Sequence, residues 1–244
     1  MDVYIAQVQA WAPGLDSLAA WQQWAASARA IVSDDKPEAR QVPAMTRRRL
    51  TRWGRQALEV AMAADGDVDA HTPVIFSSRH GDTERTYKLL EALADAEPLS
   101  PNAFSLSVHN SALGIYTILA NRHAPSLALA GGRETFAQAW TEAYSWLATG
   151  TEQVLLVHTD EPLSDFYRAD ADEQELPAAL ALLLSAAPRD GAVKVSLSCT
   201  DAPEAYLPRS LMWEFLAWWH GPKNQLQVPV GQHLWSWERH AGTA

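Results

Sequence analysis

Cysteine and long apolar runs are scarce in this sequence. One cysteine, Cys199, occurs among 244 residues, so no internal disulfide can form and a reducing compartment is expected. No run approaches the ~18 apolar residues that a membrane helix needs. The first residues also lack the basic region followed by an apolar stretch that marks a signal peptide. We therefore expect a cytoplasmic protein without a membrane span.

Positive charge is scarce as well, since 19 Lys and Arg residues face 29 Asp and Glu residues and the net charge is −10. An acidic surface makes nucleic acid and anionic membranes poor partners. The eight histidines are scattered, without H-x-x-x-H or C-x-x-C spacing, so no metal site is expected. Neither G-x-G-x-x-G nor G-x-x-x-x-G-K-[ST] occurs, so no nucleotide cofactor is expected.

Apolar residues make up 48% of the chain, which is enough for a sizeable core. Strand-like runs alternate with helical periodicities, which is typical of a layered α/β fold with a mostly parallel sheet. The predicted strands are 3–11, 72–77, 126–130, 153–157 and 192–198. The predicted helices are 15–32, one capped by Thr46 with an apolar stripe over 50–61, 83–94, 107–120, 134–149 and 211–220. Residues 176–187 fit a helix or a strand, 202–209 a loop, and the tail from Gly221 is irregular.

Residues 100–150 carry the pattern around which the rest of the chain is organised. An apolar helix is interrupted by His109 and Asn110, and a short apolar strand follows it. A tight turn with Gly131 and Gly132 then leads into a helix with one apolar face, which Gly150 ends. Because this turn lies at the carboxyl end of a strand, it occupies the place where open α/β sheets keep their chemistry.

The order of these elements resembles the core of the β-ketoacyl synthases, the condensing enzymes of fatty-acid and polyketide synthesis. An S-P-x-x-F loop stands at 100–104, a helix with Asn110 follows, and 130–135 takes the place of the nucleophile elbow A-C-x-S-G. Pro43-x-Met45 before a basic, alanine-rich helix is a further likeness. The resemblance implies an α/β, layered, thiolase-like fold in a single domain, 1–244. Residues 1–162 would be the N-terminal half of a ketosynthase, and 163–244 a shortened, divergent, tryptophan-rich remainder.

The elbow-like turn departs from the family pattern. It reads Ala-Gly-Gly-Arg-Glu-Thr and places Gly131 where the thiol is expected, so we expect no catalytic residue. The resemblance then implies a chain-length factor of a bacterial type II polyketide or aryl polyene system. Such a subunit is silent as an enzyme, pairs with a catalytic ketosynthase, and meets an acyl carrier protein transiently.

Within this resemblance, the helix after Asn110 would form part of the wall of an acyl tunnel, and the strand 126–130 would pair with the partner. The tunnel candidates are Phe104, His109, Asn110, Leu113, Tyr116, Thr117 and Phe136. The interface candidates are Ser126, Leu127, Ala128, Leu129 and Ala130. An uncharged apolar strand edge is an aggregation hazard unless a partner fills it.

Two other functions stay open from the residues. One is a free-standing thioester hydrolase or acyltransferase with Ser78 or Thr135 as nucleophile, and the other is a monomeric module that binds an acyl carrier protein. Ser78, His80 and Asp82 are too close in sequence for a triad, whose members usually come from separate elements. His158 follows a buried strand, but no nucleophile is evident beside it.

Several residues have two interpretations. His109 and Asn110 are either satisfied polar residues of a core or part of a tunnel or interface. The basic run at 47–55 is either a solvated helix face or a docking patch for an acidic partner such as a carrier protein. Cys199 is expected to be a small buried residue. Five of the 11 tryptophans lie in the last 32 positions, and exposed tryptophan-rich faces would require a partner.

Overall fold

The structure is a computed structural model, and it describes residues 1–31, 35–206 and 208–240. The strands are β1 (Asp2–Trp11), β2 (Val74–Ser77), β3 (Ser126–Leu129), β4 (Gln153–Asp160), β5 (Ala178–Ser185), β6 (Val193–Tyr206) and β7 (Gln225–Arg239). The helices are α1 (Leu18–Ser27), α2 (Ala44–Arg47), α3 (Arg52–Ala64), α4 (Thr83–Ala94), α5 (Pro101–Ser105), α6 (Ser111–Leu119), α7 (Thr135–Ala148) and α8 (Leu211–His220). The strands form one seven-stranded sheet in the order β3-β2-β4-β5-β1-β6-β7.

The sheet is mixed, so the prediction of a mostly parallel sheet is wrong. β2 runs parallel to β3 and to β4, whereas the pairs β4–β5, β5–β1, β1–β6 and β6–β7 are antiparallel. β4 and β5 are buried along their whole length, and a sequence of that kind is usually read as parallel. The alternation of strand-like and helical patterns therefore predicted the α/β class correctly but not the strand directions.

Helices cover both faces of the sheet and create two cores. Trp140 of α7 and Trp213 of α8 pack on one face, and Trp53 of α3 and Tyr116 of α6 pack on the other. β4 contributes side chains to both cores, because Val154 and Leu156 point into the first core while Leu155 and Val157 point into the second. This arrangement is the layered α/β fold expected from the sequence.

The predicted limits of α4 and α8 are confirmed, α7 is one residue shorter than predicted at each end, and the predicted limits of α1, α3 and α6 are wider than observed. α1 is shorter than predicted, and Val32, its expected end, lies outside the described residues. α3 is capped by the Thr51 side chain, which accepts the amide of Gly54, whereas Thr46 lies in the one-turn α2. α6 begins at Ser111, because the residues before it form α5 and a turn.

The C-terminal part is more regular than expected. Residues 176–187 contain a strand, β5, while β6 continues to Tyr206 and β7 fills most of the tail, so the predicted loop at 202–209 and the irregular tail are wrong. Pro229 and Gly231 interrupt the sequence pattern of β7, as they do in edge strands and bends. Trp235 and Trp237 of β7 are 4% and 0% exposed, so the expected exposed tryptophan face is absent there.

Candidate functional site

The turn after β3 lies at the carboxyl edge of the sheet, where the resemblance places the nucleophile. Gly131 is exposed, and a 3-10 turn (Gly132–Glu134) leads from it into α7. The neighbouring Thr135 hydroxyl donates to the carbonyl of Gly132 at 2.6 Å and accepts the amide of Gly131 at 2.9 Å. Since Thr135 is also 2% exposed, this turn presents neither a thiol nor a free hydroxyl.

Beneath this edge, β2 and β4 end in a buried polar cluster. Ser77 Oγ lies 2.8 Å from Nδ1 of His158, and Asp160 Oδ2 lies 2.9 Å from Nε2 of the same ring. Asp160 Oδ1 accepts the Ser78 hydroxyl and the Arg79 amide, both at 2.8 Å. Burial alone would raise the pKa of Asp160, but His158, Ser78 and the Arg79 amide hold this pKa below its ordinary value. The carboxylate thereby fixes the turn that follows β2.

Ser78, His80 and Asp82 do not form a catalytic triad. Ser78 is 1% exposed and donates its hydroxyl proton to Asp160. His80 Nε2 lies 3.0 Å from Glu175, and the Asp82 side chain caps α4. Each side chain is therefore engaged elsewhere, and none is placed to activate the Ser78 hydroxyl.

An acidic segment, residues 172–175, closes the same edge of the sheet. Arg79 Nη1 lies 2.8 Å from a carboxylate oxygen of Asp172 and 2.8 Å from one of Glu173, and Arg133 Nε lies 3.1 Å from Glu173. Burial raises the pKa of Glu173 and of Glu175, although Arg79 and Arg133 oppose the rise at Glu173. These ion pairs were not predicted from the sequence, although two arginines just beyond strand ends and an acidic run were a signal for them.

Cys199 is exposed, so its prediction as a buried residue is wrong. It lies on β6 beyond Leu197, where the strand extends past the packed core. Partial burial, with Glu134 and Asp201 nearby, raises the pKa of its thiol. Less thiolate is therefore present than in an ordinary cysteine, which is the opposite of an activated nucleophile.

The outward side of α5 and α6 carries some of the predicted tunnel residues. Phe104 is 61% exposed, Asn110 is exposed, and Thr117 is half-buried. Two residues that the sequence analysis missed complete this side: Gly114 is exposed and Ile118 is 78% exposed. We call these five residues, together with Val108, the outer α5–α6 face. The helical spacing of these residues can be seen in the sequence. Because α6 is apolar on all sides, however, no pattern in the sequence distinguished its buried positions from its exposed ones.

The other tunnel candidates point into the interior of this chain. Leu113 and Tyr116 are 6% and 0% exposed in the core beneath α3, and the Tyr116 hydroxyl donates to Asp65 at 2.6 Å. Burial and the Asp65 carboxylate raise the pKa of Tyr116. Phe136 lies on the opposite face of the sheet, with its ring centroid 5.0 Å from that of Phe215. The structure therefore does not bring Phe136 together with α6.

β3 forms one end of the sheet, and within the described residues β2 is its sheet neighbour on one side, with none on the other. Val74 of β2 donates to the carbonyl of Pro125 at 3.0 Å. Ser78 donates to the carbonyl of Leu129 at 3.2 Å. Because main-chain polar groups alternate along a strand, residues 126, 128 and 130 direct theirs to the open side.

The basic run at 47–55 is not a uniform solvated face. Arg47 and Arg55 donate to main-chain carbonyls, and Arg52 pairs with Glu161 at 2.6 Å. Arg48 and Arg49 are exposed. A cavity of about 390 Å³ beside α4 and α5 has a mainly basic rim, formed by Lys36, Arg49, Arg85 and Lys88 with one carboxylate, Glu84. Lys88 pairs with Glu84 at 2.6 Å, and Arg85 pairs with Asp82 at 3.1 Å.

The described residues show neither a cluster of metal ligands nor a membrane-spanning helix. No group of three or more His, Cys, Asp or Glu side chains there is placed to hold a metal ion. In the same residues, no helix has both the length and the apolar character needed to cross a bilayer.

The family model of the β-ketoacyl synthase N-terminal domain matches residues 21–238. The chain belongs to the β-ketoacyl synthase family. The match continues through β5 and β6 into β7, beyond residue 162, where the sequence analysis placed the end of the N-terminal half. No curated protein matches the sequence.

Solved structures of ketosynthase complexes are similar to this ketosynthase-family chain. A chain in the complex of the ketosynthase ApeO with its chain length factor ApeC from Xenorhabdus doucetiae is 30% identical, with a TM-score of 0.85. The match covers 98% of this chain and 100% of that one, so the two are nearly equal in length. Two more distant structures show the fold alone. The ishigamide ketosynthase/chain length factor has 18% identity, a TM-score of 0.63 and coverage of 82% and 68%. The type II polyketide carrier protein–ketosynthase complex AntDE:AntF has 13% identity, a TM-score of 0.70 and coverage of 98% and 99%.

Proposed function

We propose that this chain is a non-catalytic chain-length factor that pairs with a catalytic ketosynthase in polyketide or aryl polyene synthesis. The observation that carries the proposal is the exposed Gly131 at the turn after β3. A thiol at this turn would form the acyl-enzyme, and glycine has no side chain with which to do so. Ser78 and Thr135 are buried and hydrogen-bonded, which disfavours the alternative of a hydrolase or acyltransferase.

The ketosynthase partner would cover one continuous surface of the chain. α6 packs against β3, so the outer α5–α6 face adjoins the open strand edge formed by residues 126–130. Phe104 and Ile118 are large apolar side chains that are 61% and 78% exposed on it. Exposed apolar area beside an unpaired strand is typical of a protein interface. In the similar structure, the ketosynthase ApeO is in complex with its chain length factor ApeC.

The outer α5–α6 face would supply this subunit's share of the tunnel wall. A pocket closed by bulky side chains limits chain length, because further methylenes would overpack it. Asn110, Gly114 and Thr117 face outward, so they, with Phe104, are the candidates for direct contact with the acyl chain, whereas the ring of His109 faces Ser78. Leu113, Tyr116 and Phe136 would act from inside the subunit by supporting the elements beneath the wall.

The basic rim beside α4 and α5 would be a docking place for an acidic carrier protein. Its four cations outnumber the one carboxylate of the rim, Glu84, on a chain with a net charge of −10. Complementary charge of this kind steers encounters and favours one partner over others. A monomeric carrier-binding module would use the same rim, and it differs from our proposal in that the isolated chain would need no ketosynthase.

Replacing Gly114 by phenylalanine tests the proposal. A Cβ at Gly114 meets no atom of this chain within 4 Å, and glycine inside a helix costs up to about 1 kcal/mol relative to other residues. We therefore expect Gly114→Phe to fold and to co-purify with the co-expressed ketosynthase. The reconstituted system should then release products shorter by whole extension units, measured by mass spectrometry.

Tyr116→Phe is the matched control, because Tyr116 lies on the same helix but faces inward. It removes the hydrogen bond to Asp65 and should lower thermal stability without changing product length. Absence of a ketosynthase from the wild-type preparation would contradict the proposed function. Unchanged products from an intact Gly114→Phe complex would remove the outer α5–α6 face from the wall.

A further inference from the structure

His109 joins the outer α5–α6 face to the carboxyl edge of the sheet. Its Nε2 lies 2.8 Å from the main-chain carbonyl oxygen of Ser78. A carbonyl oxygen can only accept, so Nε2 carries the proton and donates it. His109 stands between α5 and α6 and is flanked by Val108, which is 42% exposed, and by the exposed Asn110. The contact therefore ties the loop that links the two helices to β2.

Ser78, which accepts this hydrogen bond, makes three others through its hydroxyl group. Its hydroxyl donates to Asp160 at 2.8 Å, and it accepts the Trp53 indole N–H at 3.1 Å and the Gly81 amide at 2.9 Å. All of these groups belong to buried residues. The acceptor that meets His109 is thus fixed relative to the sheet.

Gly81 makes room for the imidazole ring. Its φ of +68° is unfavourable for residues with a side chain, and an added Cβ would lie 3.3 Å from Cδ2 of His109. Neither α5 nor the turn after it contributes a buried residue. Little apolar packing therefore holds this loop. α5 also contacts α4, and Asn102 accepts a hydrogen bond from Arg49, but the hydrogen bond of His109 and its position against Gly81 connect the loop to the end of β2.

We infer that His109 is a positioning residue that fixes the outer α5–α6 face for the ketosynthase partner, an inference that rests on the proposed function. Without the contact to Ser78, Phe104 and Val108 could stand in several places, and the partner would select one at a cost in affinity. A wall with several placements would also set chain length less sharply. The role differs from direct contact with substrate, because it acts through the location of other side chains.

A pair of glycine substitutions tests this inference. Gly191 also has a positive φ, +73°, but an added Cβ there meets nothing within 4 Å. Gly81→Ala and Gly191→Ala should therefore share the cost of backbone strain, while Gly81→Ala alone presses on His109. We expect Gly81→Ala to weaken affinity for the catalytic ketosynthase on the order of tenfold and to broaden the product-length distribution. Gly191→Ala should change neither.

Variants of His109 give an independent readout if Gly81→Ala fails to fold. Glutamine keeps an N–H donor at a similar reach, so His109→Gln should approach wild-type affinity, whereas His109→Ala should behave as Gly81→Ala does. Equal affinity and product spread for Gly81→Ala and Gly191→Ala, or for the two His109 variants, would overturn the inference. If the wild-type chain itself bound no ketosynthase, the proposed function would fail instead.

Discussion

Replacing Ala128 by proline probes the open edge of β3 while sparing the chain's own sheet. The carbonyls of Pro125 and Leu129 accept hydrogen bonds from β2, so the polar groups of Ala128, which alternate with them, point to the open side. Edge strands tolerate proline where the lost N–H would face solvent. The isolated Ala128→Pro subunit should therefore change in stability by less than about 1 kcal/mol. Urea unfolding of the isolated chain measures this.

Pairing with a partner strand would make the same substitution costly. Proline removes a ladder donor, and its ring occupies the side that the partner strand approaches, at about 3 kcal/mol or more. That figure corresponds to a loss of affinity on the order of a hundredfold. In size-exclusion chromatography of the co-expressed pair, we expect wild type to elute as one complex and Ala128→Pro to elute as separate subunits.

Leu129→Pro is the control on the other side of the strand. The main-chain groups of Leu129 face β2, so proline there should destabilise the isolated subunit itself. The two substitutions thus separate the internal ladder from the external one. If Ala128→Pro co-elutes with the ketosynthase as wild type does, β3 is not the interface, and the heterodimer loses its main physical support.

Two further predictions concern the carboxyl edge of the sheet, where we propose that no catalysis occurs. The isolated chain should take no radiolabel from an acylated carrier protein, and stable acylation mapped by mass spectrometry to Cys199, Ser78 or Thr135 would contradict a non-catalytic role. The folded pKa of Asp160 lies below its ordinary 3.8, so its stabilisation is full above about pH 4 and is lost as the pH falls through the folded value. Asp160→Asn should therefore lower stability at pH 7 by about 1–3 kcal/mol, with the deficit shrinking in acid. Urea titrations at pH 7 and pH 3 measure it, and an equal deficit at both would refute this origin.

The sequence predicted elements well where local signals are strong. α4 and α8 begin where the sequence pattern predicts, and the structure shows that the side chains of Asp82 and Ser210 cap them. Strand direction has no comparable local signal, and β5 reads alike in either direction. β7 was missed because its pairing with β6 is non-local, while Pro229 and Gly231 obscure its alternation.

The candidate site shows the same division. The position of Gly131 in the turn between β3 and α7 could be predicted from the sequence, because a strand, a turn and a helix follow one another within a few residues. The open side of α6 could not, since Leu113 and Gly114 are neighbours in an apolar helix and packing against α3 decides which is covered. The contacts of Asp160 with Ser78 and of Arg79 with Asp172 join residues 82 and 93 positions apart. Sequence periodicity carries no information about contacts between residues that are so far apart in the chain.

Ser78 links the two parts of the proposed interface. Its amide donates to Leu129 of β3, its carbonyl accepts from His109, and its hydroxyl donates to Asp160. Ser78, whose hydroxyl is engaged by Asp160 and is no free nucleophile, therefore contacts both the strand edge and the loop between α5 and α6. Ala128 and Gly114 make none of these hydrogen bonds with Ser78, and they lie on the surface that we propose for the partner. Substitutions at these two positions should therefore change the properties of the complex and leave the isolated subunit folded. This difference distinguishes loss of the interface from loss of the fold.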